Sequence, residues 1–171
     1  YEVIPAKREE ALDPALPMEQ AVVQVARAKA AEVAAAHPDR LVLGADTTVT
    51  VDGKALGKPR DEQHAAAMLN SLQGRWHRVI TGVNFGRSNF NPNKFSDGFA
   101  ACTEVRFAPM TAADITAYIA TGEPMDKAGA YGIQGAGLRF VEEIRGDFYA
   151  VMGLPAASLW DFLKKFPEMD E

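Results

Sequence analysis

Cysteine is almost missing from this chain of 171 residues, where Cys102 stands alone. One thiol cannot form an internal disulfide, and no cysteine-based zinc site can be assembled around it. The simplest setting is a reduced, cytoplasmic one. Long apolar runs are missing too, and none approaches the ~18 residues that would cross a bilayer. There is no excess of basic residues. Lys and Arg number 18 against 23 Asp and Glu, a formal charge of −5, which argues against broad binding to nucleic acid or to an acidic membrane. Any anion site must therefore be built locally from a few cations. His37, His64 and His77 show no metal-ligand spacing and read as a helix end, a cap neighbour and a strand residue. The Gly-Lys-Ser/Thr order of a Walker loop never occurs. The opening Tyr1-Glu2-Val3-Ile4-Pro5 carries neither an initiator methionine nor a signal peptide pattern. The expectation is that residues before Tyr1 have been lost or left out.

What is present is globular in kind. A hydrophobic fraction of 47% and a charged fraction of 24% suit one domain, residues 1–171, with a full core of its own. Pro17 opens an alanine-rich helix that stops near His37-Pro38, because the residue before proline resists helical geometry. Val22, Val25, Ala26 and Val33 form its apolar stripe. Lys29 falls on that stripe, and a lysine there needs a partner. Residues 41–45 read as a buried strand that ends at Asp46, and residues 47–56 as a hairpin turning at Asp52-Gly53. Asp61 caps a helix whose inner face is Ala65, Met68, Leu69 and Leu72, with Gly74 beyond its end. Strands follow at 75–85 and 99–107, separated by a loop at 88–98. Thr111 and Asp114 resemble a capping box for a helix over 112–121. After a glycine-rich stretch, 138–144 is expected to pair with 149–152, and Pro155 to start a last helix with Leu159, Phe162 and Leu163 inward. No internal repeat and no long linker appears. The pattern is mixed α/β.

Asp46 leads the residues that could carry chemistry. A strand-end aspartate can simply satisfy turn amides, but Thr47 and Thr48 already supply polar groups there. As a functional group it would bind Mg²⁺ or take a proton from an attacking water. A haloacid-dehalogenase nucleophile is disfavoured, since Thr48 stands where a second aspartate belongs. Lys58, between Gly57 and Pro59, sits on stiffened backbone; on the plain reading it is a surface lysine at a hairpin end. Glu9 and Glu10, after Lys7 and Arg8, read plainly as a solvated charge run. In residues 125–135 the glycines permit close approach to a ligand, while Lys127, Tyr131 and Gln134 offer charge, stacking and an amide able to read a base edge.

Taken together, Gly44-Ala45-Asp46-Thr47-Thr48-Val49, Gly57-Lys58-Pro59, the run from Gly74 to Val83, Asp126 through Gly135, and Val151-Met152-Gly153-Leu154-Pro155 resemble the Maf family. These are septum-formation-inhibitor-like nucleoside triphosphate pyrophosphatases, and the likeness covers essentially the whole chain in order. It implies a Maf/ITPase-like fold: an elongated, curved mixed β-sheet flanked by helices, with a nucleotide cleft between two lobes. It also implies Mg²⁺-dependent hydrolysis (Mn²⁺ being another candidate cation) of a nucleoside triphosphate to monophosphate and pyrophosphate, in a cytoplasmic homodimer. By position, Asp46 matches the catalytic aspartate and Glu10 an acidic metal-site residue. Lys29, Lys58 and Lys127 match lysines lining the phosphate and nucleotide cleft. Thr47 and Gln134 match positions that separate subgroups: the group acting on dTTP and UTP has Thr and Gln there, and the sister group acting on 7-methyl-GTP has Gln and Glu. The family's opening strand, Ser-rich turn and paired arginines would precede Tyr1.

The leading expectation is thus a house-cleaning hydrolase of pyrimidine nucleoside triphosphates, dTTP and UTP first, with modified forms tolerated. Its alternative is a regulator of cell division and septum formation acting through a protein partner. A third reading is a Mg²⁺-dependent phosphatase releasing inorganic phosphate.

Overall fold

The computed structural model describes residues 1–7, 11–86 and 98–164. Pro17 precedes helix α1 (Met18–Ala36), which stops at His37 before Pro38. Its buried face is Ala21, Val22, Val25, Ala26, Ala30 and Ala34. Val33, expected inward, is only half-buried; alanines carry this face because the strands beneath approach too closely for larger groups. A Cβ added at Gly44 would lie 2.9 Å from both the amide nitrogen and the Cβ of Ala30. One added at Gly82 would lie 2.6 Å from the amide nitrogen of Val23. Both are well inside van der Waals contact, so two glycines let the helix settle on the strands.

Strand β1 (Val42–Val51) runs unbroken through Asp46. The expectation of one strand ending there and a second beginning is therefore corrected. The run Thr47-Thr48-Val49-Thr50-Val51 is β-branched throughout, and nothing in it interrupts a ladder. Nor is the start of this strand buried: Leu41 and Leu43 are 41% and 39% exposed. Successive side chains alternate across a strand, so Gly44 and Asp46 take the face toward α1 and Leu43 takes the other. Strand β2 (Lys54–Leu56) returns antiparallel, with Val49 opposite Leu56. Asp52 and Gly53 turn the chain with φ of 51° and 74°, a left-handed pair that matches the twist of a two-residue hairpin.

Asp61 caps helix α2 (Glu62–Leu72), accepting from the amide of His64 at 2.7 Å. Ala65, Met68, Leu69 and Leu72 are its buried residues. Strands β3 (Trp76–Gly86) and β4 (Phe99–Phe107) follow. Most of the loop expected at 88–98 lies outside the described residues. Helix α3 (Ala112–Ile119) starts on a complete Thr111–Asp114 capping box. Strand β5 (Val141–Arg145) pairs antiparallel with β4, Val105 opposite Ile144. The expected hairpin between 138–144 and 149–152 does not form. Phe148–Met152 is instead a short helix, α4, whose Tyr149 amide donates to Asp147 Oδ1 at 2.8 Å. After Pro155 comes α5 (Ala156–Leu163), where Phe162 sets its ring against Phe85 and Phe99 at 5.2 and 5.1 Å. Leu159, Phe162 and Leu163 are half-buried.

The result is a mixed α/β fold with a five-stranded sheet in the order β2-β1-β3-β4-β5. Two compact units divide the chain. Among the described residues, the first draws on those within 1–46, 81–101 and 153–164, and centres on the contact of α1 with Gly44 and Gly82. The second draws on Thr47–Ile80 and Cys102–Met152. Its core joins aliphatic residues such as Leu69, Leu72 and Val105 to a group of rings: Phe107 packs edge-on to His77 and Tyr131 at 4.9 and 4.7 Å, and Tyr118 to Phe140 at 5.3 Å.

Candidate active site

In the first unit the close seating of α1 on Gly44 decides where Lys29 goes. Lys29 precedes Ala30, whose atoms lie against Gly44, and Asp46 is two residues further along the same face of β1. Lys29 Nζ donates to Asp46 Oδ1 at 2.6 Å, with the side chains only 18% and 8% exposed. The lysine on the helix stripe thus has its partner. In a pair so withdrawn from water, loss of either charge is costly to the other. The Asp46 carboxylate, on a strand and 8% exposed, is held in place by the fold rather than free at the surface. Glu10, expected beside it at a metal, lies outside the described residues.

The second unit gathers Lys58 and Lys127. The amide of Gly129 donates to the carbonyl of Gly57 at 3.1 Å, tying the stretch around Lys127 to the stretch around Lys58. Lys127 Nζ meets Asp126 Oδ1 at 2.6 Å. That hydrogen bond, with the charges of Lys127 and then Lys58, holds the Asp126 carboxyl below its ordinary value. Lys127 thus stands between two carboxylates, since its charge also helps to hold the Glu123 carboxyl below its ordinary value. Thr47 is half-buried in β1. Gln134 is exposed in irregular backbone between the buried Ile133 and Gly135.

Sequence reasoning missed Glu123, which organises that backbone. Its Oε1 accepts from Tyr118 Oη at 2.8 Å and from the amide of Gly137 at 3.1 Å, and its Oε2 from the amide of Ala136 at 2.7 Å. Tyr118 Oη in turn accepts from the amide of Gly132 at 3.0 Å. Burial works to raise the Glu123 carboxyl, but these hydrogen bonds outweigh it and hold the group below its ordinary value. The partners lie up to fourteen residues away in sequence, so no local pattern announces them.

The Maf-like protein family profile matches residues 1–166. The chain belongs to the Maf family. Among curated Maf relatives, a dTTP/UTP pyrophosphatase of Bacillus velezensis is 48% identical over 166 residues, 97% of this chain and 85% of the relative. One from Carboxydothermus hydrogenoformans is 45% identical, covering 97% and 87%. One from Escherichia coli is 44% identical over 172 residues, covering 100% and 85%.

Mg²⁺ in enzymes that act on nucleotides uses one or two carboxylates, several waters and the substrate's own phosphates. The withdrawn Asp46 carboxylate fits that donor chemistry. Among the described residues no three His, Cys, Asp or Glu side chains cluster as an all-protein cage, which such a site does not require.

Proposed function

We propose that this chain hydrolyses pyrimidine nucleoside triphosphates, dTTP and UTP first, between the α and β phosphates, releasing monophosphate and pyrophosphate. The observation that carries the reading is the Lys29–Asp46 pair, 2.6 Å apart and largely withdrawn from water, in a Maf-family chain whose curated relatives bear the name dTTP/UTP pyrophosphatase.

Asp46 orients the attacking water and accepts its proton, with Lys29 beside it balancing the carboxylate. Lys58 and Lys127 bind phosphate oxygens and offset the charge that builds on them during transfer. Lys127 leaves Asp126 to do so, exchanging one carboxylate partner for a more highly charged anion. Asp46, with Glu10, would hold a divalent cation, Mg²⁺ or Mn²⁺. Such an ion neutralises phosphate charge and polarises the phosphoryl group under attack. Thr47 and Gln134 choose the base, Gln134 through an amide that both donates and accepts. The protein acts as a cytoplasmic homodimer; family resemblance supports the dimer, and the single exposed Cys102 suits a reducing compartment.

The test is chromatography of the products formed with Mg²⁺ and, separately, dTTP, UTP, CTP, ATP and 7-methyl-GTP. Monophosphate and pyrophosphate from dTTP and UTP are expected. Release of inorganic phosphate, or preference for 7-methyl-GTP, would overturn the assignment.

A further inference from the structure

The stretch that carries Gln134 has no regular structure to hold it. Residues 131–135 belong to no helix or strand, and Gln134 itself is exposed. Something else must decide where that amide stands. We propose that Glu123 is the positioning residue for the nucleotide-reading segment 132–137, its carboxylate gathering Tyr118 Oη and the amides of Ala136 and Gly137 so that Gln134 is presented in one conformation. This rests on the reading of Gln134 as a base-reading group.

The geometry brackets Gln134 from both sides. On its N-terminal side, the Gly132 amide is held by Tyr118 Oη, which itself donates to Glu123. On its C-terminal side, Ala136 and Gly137 donate directly to the carboxylate. The two glycines flanking Ile133-Gln134 lie against the same group. A Cβ on Gly132 would be 3.1 Å from Glu123 Oε1, and one on Gly135 would run into the carboxylate itself. Ile133, 4% exposed, anchors the segment in the core. Movement of the Glu123 carboxylate therefore moves both shoulders of Gln134. A carboxylate suits this place because it only accepts, and every neighbour here donates to it.

Glu123→Gln keeps the size and replaces one acceptor oxygen with a donor, which opposes an amide or the phenol. Tyr118→Phe keeps the buried ring and removes the hydroxyl that links Glu123 to Gly132. Gln134→Ala removes the amide that reads the base. Each variant of the full chain is checked for fold by circular dichroism, and kcat and KM are measured with Mg²⁺ on dTTP, UTP and CTP. Glu123→Gln should raise KM for dTTP and UTP about tenfold, the scale of one displaced hydrogen bond. Its kcat should change less, and its preference over CTP should narrow. Tyr118→Phe should shift the ranking in the same direction, and adding Gln134→Ala to Glu123→Gln should narrow the ranking little further. A wild-type ranking in both Glu123→Gln and Tyr118→Phe, or an equal loss of kcat on all three nucleotides, overturns the proposal. If Gln134→Ala alone alters the ranking, Glu123 is not the positioning residue. If Glu123→Gln alters it and Gln134→Ala does not, the segment reads the base through another group; Glu123 keeps its role and Gln134 loses its own.

Discussion

At the scale of single residues, variants of the Lys29–Asp46 pair distinguish the charge proposed to work on substrate from charge that only compensates it. Asp46→Asn keeps the volume and the possibility of a hydrogen bond to Lys29, yet offers no base. Loss of a positioned general base costs on the order of 10²–10⁴ in rate. Turnover of dTTP should fall by that factor with an unchanged circular dichroism spectrum. An Asp46→Asn enzyme within tenfold of wild type would mean that the proton goes elsewhere. Lys29→Met poses a different question. It leaves a carboxylate 8% exposed without its ammonium, and breaking a buried pair from one side costs about 3–5 kcal/mol. Lys29 is 18% exposed, so water softens this toward the lower figure. The double variant, Lys29→Met with Asp46→Asn, removes both charges of the pair and should recover much of that stability in urea titrations. If it loses as much as the two single losses combined, the two residues are not energetically coupled.

At the scale of elements, α1 is placed by what the strands beneath it lack. Gly44→Ala adds one methyl where Ala30 leaves only 2.9 Å. The helix must lift, at a cost of about 1–3 kcal/mol, and Lys29 lifts with it. Both urea midpoint and kcat should drop. Gly53 is the control: it turns the β1–β2 hairpin at φ 74° with open space around it. Gly53→Ala should cost about 1 kcal/mol of backbone strain while kcat stays near wild type. A Gly44→Ala variant with full activity would show that activity does not depend on how α1 seats Lys29 beside Asp46. Much at this scale was legible in the sequence. Asp61, Thr111 with Asp114, and Pro17 announced their helices because capping chemistry is local. Lys29 was legible as a charge on an apolar stripe. Residues 149–152 were misread as a strand because a short apolar run fits a strand or a helix turn equally well; Asp147, whose Oδ1 accepts from the amide of Tyr149 two residues on, is the local signal that favours the helix. Asp46 was placed at a strand end because the apolar run before it stops there, although the β-branched run after it carries the strand straight on.

At the scale of the whole molecule, the order of motifs along the chain carried the family and the α/β class, while the core that joins distant segments was hidden. His77 is the clearest case. It looked like an ordinary strand residue. It is 2% exposed, makes its Nε2 contact with Tyr131 Oη at 2.8 Å, and lies edge-on to Phe107. Burial, with a smaller contribution from the positive charge of Arg75, pushes its pKa from 6.5 down to about 4. The folded protein therefore keeps His77 neutral where the unfolded chain would protonate it. In that interval the unfolded state binds more protons, so stability rises with pH and is lost as pH falls from 6.5 toward 4. The gap between those two values caps the effect at about 3 kcal/mol. Carboxylates held below their ordinary values, Asp126 and Glu123 among them, add losses mainly toward the acid end of that range. Urea midpoints of wild type should fall steadily between pH 6.5 and pH 4.5. His77→Phe removes the titrating ring at the cost of leaving Tyr131 Oη without this partner, a penalty that does not vary with pH in this range because the phenol is held well above 10. The variant should start less stable at pH 7.5 and converge on wild type as the acid is added. Parallel curves for the two proteins would mean that the buried imidazole does not set the acid limit of this fold.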